Sequence, residues 1–207
     1  MNQTQSRQLS PQELLINTQT ARTPLCRCKW CNLKNPLYIK YHDKEWGFPE
    51  YDDHMLFELL ILESFQAGLS WECVLNKRDA FRKAFDNFNL ETVCGYDDTK
   101  KAELLQNKDI IRNRLKINAA IKNAGIFKEI QAEYGCFSKY IWHFTENSII
   151  YESDKTSSEL SDTVSKDLKK RGMTFVGTTI IYSYLQAIGV INSHEEGCFL
   201  YQTPEQP

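Results

Sequence analysis

The sequence has no apolar run approaching the roughly 18 residues a membrane-spanning helix needs, which argues against a span. Its opening segment, MNQTQSRQLSPQELL, is polar and lacks the apolar stretch of a signal peptide. These absences point to a cytoplasmic protein. Charge of one sign is not in excess either. The formal net charge of −2 gives no global case for a nucleic-acid partner. Few segments alternate with a period of two, and no internal repeat is visible, so sheet-rich and solenoid architectures are disfavoured.

What remains is ordinary for a globular chain: 207 residues, 42% hydrophobic and 25% charged. That length can bury a real core. The division expected is a polar extension over 1–24, one domain over 25–200 and a tail over 201–207. The pattern is helical almost throughout and predicts an all-α protein of seven to nine helices. Asp52 or Asp53 can cap a helix from about Met55 to Ala67, stopped by Gly68. Ser70 can cap a second helix holding Trp71, Val74 and Leu75. Asn89 and Thr99 are further caps. Ile110, Ile111, Leu115, Ile117 and Ile121 suit helices about a short turn. Tyr140–Phe144, Val164–Arg171 and Thr179–Ile188 also read as helical.

Seven cysteines in such a chain read as thiols or metal ligands before disulfides. Cys28 and His42 stand near one end, His194 and Cys198 near the other. Two thiolates and two imidazoles suit tetrahedral zinc, and a set so far apart in sequence would clamp the chain ends structurally. Cys26, Cys28 and Cys31 lie close together, so the first thiolate stays open on spacing alone. Cys73, Cys94 and Cys136 fall in apolar or mixed segments and read as plain thiols.

Two local clusters of cations stand out. One is Lys166, Lys169, Lys170 and Arg171; the other is Arg112, Arg114 and Lys116. Cations of this kind close helix C-termini, and two clusters together can also make a phosphate-binding face.

The segment LFELLILESFQAGLSW contains an anomaly. Nearly every residue from Leu56 to Leu62 is apolar, and Glu63 follows in the same run, with Gln66 on its face. A carboxylate there must be paired, protonated or facing a cavity. Trp30, Tyr38, Tyr41, Trp46 and Trp71 flank this helix in sequence. Aromatics are core residues by default. Around a buried glutamate they also suit a planar, electron-poor ligand, because ring faces attract a cation and a carboxylate reads donor edges. A cationic purine meets both conditions.

NPLYIKYHDKEWGFPEYDDHMLFELLILESFQAGLSWECVLNKR and KKRGMTFVGTTIIYSYLQAIGVINSHEEGC closely resemble the bacterial 3-methyladenine DNA glycosylase I family. The resemblance runs from about Arg27 to Cys198. It implies a fold of the helix-hairpin-helix glycosylase superfamily, with structural zinc tying the chain ends. It further implies a monofunctional, monomeric enzyme acting on alkylated double-stranded DNA and releasing 3-methyladenine. The family's zinc ligands fall on Cys28, His42, His194 and Cys198. Its base-reading glutamate falls on Glu63, the catalytic-site candidate, with recognition of the base as its role and not general-base chemistry. Its pocket aromatics fall on Tyr38, Tyr41, Trp46 and Trp71, with Trp30 nearby. Gly68, Leu69 and Ser70 match the element that enters the DNA stack. Lys169, Lys170 and Arg171 are the expected DNA contacts.

Two departures are visible. Ser64-Phe65 follows the glutamate where small or polar residues are expected. The hairpin, read at LQNKDIIRNRLKIN, has no glycine, so a positive φ at Asn107 would have to substitute. Thr178, Thr179 and Tyr182 are candidates for the far side of the pocket. Two other readings stand beside the enzyme: a non-enzymatic module that binds methylated DNA, and a zinc-stapled protein-interaction domain.

Overall fold

A computed structural model describes residues 25–203. The expected extension over 1–24 lies outside the described residues, as does the end of the expected tail. The described chain is mostly helical. Its helices are α1 (Pro36–Lys44), α2 (Asp53–Gln66), α3 (Trp71–Leu75), α4 (Arg78–Ala84), α5 (Leu90–Cys94), α6 (Asp98–Gln106), α7 (Arg114–Tyr134), α8 (Phe137–His143), α9 (Glu159–Lys170) and α10 (Thr178–Ala187). A 3₁₀ turn covers Asp86–Phe88. The expectation of seven to nine helices and nothing else needs two corrections: the described residues hold ten α-helices, several of them short, and they are not purely helical. Two short strands, β1 (Ile150–Tyr151) and β2 (Ile191–Asn192), pair in parallel, with Ile150 opposite Ile191 and Tyr151 opposite Asn192.

α2 is the axis of the core. Every side chain from Leu56 to Phe65 is buried, because α3, α7, α8 and α10 surround it. Asp52 caps it by accepting from the Met55 amide, and Gly68 follows its end at φ +76, a left-handed conformation that favours glycine. Ser70 caps α3, and Asn89 caps α5. Thr99 is not a cap. Asp97 performs that role for α6, its carboxylate being two residues earlier and accepting from Lys100 N–H. Ile110 and Ile111 lie in the connection between α6 and α7, not in a helix; Ile110 still reaches the core.

The end of α10 fixes the loop after α1. Gly47 and Glu50 donate their amides to Gln186 O and Ile188 O, both at 3.0 Å. Gly189 makes this possible: a Cβ there would lie 2.2 Å from the Phe48 carbonyl carbon. The loop carrying Trp46 is thereby seated on α10 by backbone bonds and close approach.

Candidate active site

The aromatic residues flanking α2 in sequence converge in space. Trp30, Tyr38, Tyr41, Trp46, Glu63, Gln66 and Trp71 line one side of a cavity of about 310 Å³. That volume lies at the small end of ligand pockets. Ring centroids are 4.7 Å apart for Trp30 and Trp46, and 5.1 Å for Tyr41 and Trp71. Pro36 at the start of α1, capped by Asn35, sets the helix that presents Tyr38 and Tyr41.

The far side comes from α10 and from the loops after the two strands. Ser183 and Gln186 line it from α10, Ser153, Asp154 and Lys155 from the loop after β1, and Ser193 and Glu195 after β2. The far-wall candidates need correction. Thr178 bonds through its hydroxyl to Ser161 at 2.8 Å, Thr179 stands at the exposed start of α10, and Tyr182 is buried and does not line the cavity. Residues one and two turns along the helix, Ser183 and Gln186, face the cavity in their place. The β1–α9 loop was missed because its polar composition carries no periodic signal; only the strand pairing brings it here.

Glu63 is 3% exposed, and its Oε2 has no hydrogen-bond partner among the described residues. Burial pushes its carboxyl up to about 8, so it holds a proton at neutral pH. It is thus unpaired, protonated and cavity-facing at once. Trp71 Nε1 is likewise buried without a partner. Two orphaned polar atoms on residues lining one cavity are expensive unless a ligand meets them. Burial also raises Tyr38 to about 12 and Tyr41 well above a normal phenol, so both hydroxyls remain donors.

Ser64 and Phe65 do not reach the cavity edge. Ser64 Oγ donates to Leu60 O at 2.9 Å, and Phe65 packs edge-on against Phe81 in the core. Past them, Gly68, Leu69 and Ser70 form a turn in which Leu69 is 40% exposed. Lys116 is not a surface cation. It is 7% exposed and donates to Phe65 O at 2.9 Å and Ala67 O at 2.5 Å, beneath this turn. Arg112 and Arg114 stay exposed.

Lys166, Lys169 and Lys170 are exposed along α9. Arg171 is engaged: its Nε donates to Asp167 at 2.7 Å and its Nη1 to Glu133 at 2.5 Å. The connection from Asn107 to α7 has no left-handed residue at Asn107, whose φ is −70. A glycine-bearing turn instead joins α9 to α10, with Gly172 at φ +102 and Gly177 as the N-cap residue of α10.

At the joined chain ends, ligand atoms of Cys28, His42 and Cys198 lie within 4.8 Å of one another, all buried. His194 is close by, its ring centroid 5.3 Å from that of His42. His194 Nδ1 is 2.9 Å from Asn192 Oδ1, which leaves Nε2 buried and without a partner. His42 Nδ1 is 2.8 Å from Asp43 Oδ1, and Asp43 is clamped by Arg27. Such outer partners orient metal-binding imidazoles. Cys26 is exposed and Cys31 points to Tyr38 O, so neither joins the group. The donor set fits zinc by its chemistry, and His194 Nε2 is a buried nitrogen with no partner beside the three grouped ligands.

A family model described as methyladenine glycosylase matches residues 30–201. The chain belongs to that family. It is 43% identical to DNA-3-methyladenine glycosylase 1 of Escherichia coli over 181 residues, 84% of this chain and 96% of that protein. A crystal structure of 3-methyladenine DNA glycosylase I superposes with a TM-score of 0.82 at 42% identity, covering 86% of this chain and all (100%) of that one. A variant of 3-methyladenine DNA glycosylase I solved in complex with 3-methyladenine gives a TM-score of 0.78 at 34% identity, covering 80% and 92%.

Proposed function

We propose that this member of the methyladenine glycosylase family excises 3-methyladenine from alkylated duplex DNA by hydrolysing its N-glycosidic bond. The observation that carries this reading is the pair of orphaned groups, Glu63 Oε2 and Trp71 Nε1, in an aromatic-walled cavity. A base inside a duplex is out of reach, so the nucleotide flips out. Leu69, exposed on its turn, fills the gap in the stack. The flipped base is cationic while joined to the sugar. Aromatic faces attract it, and its positive charge favours ionisation of Glu63, whose proton leaves to solvent; the carboxylate then accepts from the exocyclic amine. The bond breaks without much acid catalysis because the base leaves as a neutral molecule. Lys155, on the cavity rim, is tied to Glu152 Oε2 at 2.5 Å, which disfavours a lysine nucleophile.

Zinc belongs to this reading as a structural ion on Cys28, His42, His194 and Cys198. When bound it would tie the two thiolates and two imidazoles together and so join the chain ends, with no part in the reaction. The DNA-binding hairpin is the α9–turn–α10 unit. α10 begins without a side-chain cap, so its first amides are free for a phosphate, with Lys169 and Lys170 exposed just before the turn.

The test is incubation with methylated duplex DNA and chromatography of the bases released. 3-Methyladenine is expected, with little 7-methylguanine or hypoxanthine. No release, or release of all three alike, would overturn the reading.

A further inference from the structure

Three carboxyl groups line the cavity: Glu63, Asp154 and Glu195. They differ in place and engagement. Glu63 lies at the buried floor and holds a proton there. Glu195 accepts the Lys29 amide at 3.0 Å through Oε2. Asp154 is exposed at the mouth, on the loop that leaves β1. Its polar contact is local: the Ser153 hydroxyl donates to Oδ2 at 3.1 Å. Its neighbour Lys155 is engaged by Glu152 and leaves Asp154 without an ion pair among the described residues. The β1–β2 register sets this loop beside Ser193 and Glu195, so its position follows from the strand pairing.

A flipped nucleotide has its base at the floor and its deoxyribose at the mouth, since the sugar stays tied to the DNA backbone. Resting on the excision reading above, we infer that Asp154 is a catalytic residue whose carboxylate faces the sugar and stabilises the positive charge that develops there. In the step, the C1′–N9 bond breaks and its electron pair passes to the purine, neutralising the cationic base. The charge moves to C1′ and the ring oxygen O4′. Water then adds to C1′, and its proton leaves to solvent at the open mouth, giving an abasic site and neutral 3-methyladenine. A fixed negative group at the developing charge lowers that barrier, while the neutral purine at the floor is little affected.

Asp154→Asn is a clean test because asparagine also tolerates the left-handed backbone found here, φ +59. Single-turnover release from methylated DNA is measured with wild type, Asp154→Asn and Asp154→Glu, alongside titration with free 3-methyladenine. The expected result is a loss of about 10- to 100-fold for Asp154→Asn, below the hundredfold or more lost with an enclosed stabilising group. Free-base affinity should stay within about twofold, and Asp154→Glu should retain more activity than the amide. A rate within about twofold of wild type overturns the inference. So does a matching fall in rate and free-base affinity, or a glutamate variant slower than the amide. Failure of wild type to release 3-methyladenine is a different result and counts against the excision reading itself.

Discussion

The Lys116 ammonium donates to the Phe65 carbonyl oxygen at 2.9 Å, reaching from α7 to the last turn of α2. Helix ends leave carbonyls without amide partners, and a buried lysine supplies the missing donors here, to Ala67 O as well. The turn that presents Leu69 is therefore held from beneath.

Lys116→Met keeps the stem and removes these bonds. Stability should fall by about 1.5–3 kcal/mol, the range for hydrogen bonds to charged groups. Release from DNA should slow more than free-base affinity weakens, because the wedge turn loosens while the pocket walls stay. Denaturant unfolding and single-turnover release check both. Unchanged stability would show that the bonds are replaced by water.

The Glu63 carboxyl makes stability depend on pH. Its value rises from 4.5 to about 8 on folding, through burial. Between those values the native state holds a proton that the unfolded chain has released, so stability falls as pH rises. Each pH unit of that interval costs about 1.4 kcal/mol at most. Glu63→Gln does not titrate. Its melting temperature relative to wild type should climb from pH 5 to pH 8 and then level. A difference independent of pH would mean that Glu63 is ionised in the fold.

Elemental analysis should find one zinc per chain. A Cys28→Ser, Cys198→Ser double variant should lose it and melt earlier, since binding free energy is folding free energy at such a site. His194→Ala should bind more weakly than wild type, because its Nε2 is the orphaned donor atom. Full zinc in the double variant would show that the ligands are others.

Charge reversal at Lys169 and Lys170 should weaken binding to damaged and undamaged duplexes alike and flatten the salt dependence. Arg171→Met should act first on stability, since its guanidinium holds Glu133 and Asp167. Unchanged affinity in the lysine variants would return them to plain helix termini.

The α2 axis was legible because caps, an apolar run and Gly68 agree along one stretch. The near wall of the site was legible for a similar reason: its glutamate contradicts its surroundings, and its aromatics cluster in sequence. The far wall was not. Ser183 and Gln186 look like ordinary helix residues, and Asp154 reaches the mouth through a two-residue strand pairing across 41 positions, from Ile150 to Ile191. Lys116 read as part of a basic cluster because charge alone cannot show that its Nζ lies under a helix end. The segment between α6 and α7 has no glycine, whereas Gly172 and Gly177 lie in the turn before α10, a short glycine-bearing stretch that the sequence pattern alone does not set apart.

The central claim is that Glu63 reads the base. Single-turnover release of 3-methyladenine from methylated duplex DNA, wild type against Glu63→Gln, tests it most directly. The amide keeps the shape but cannot become an anion when the cationic base arrives. Loss of one charged hydrogen bond, about 1.5–3 kcal/mol, predicts release slower by roughly one to two decades. Release at the wild-type rate would contradict the account and leave Glu63 a structural residue.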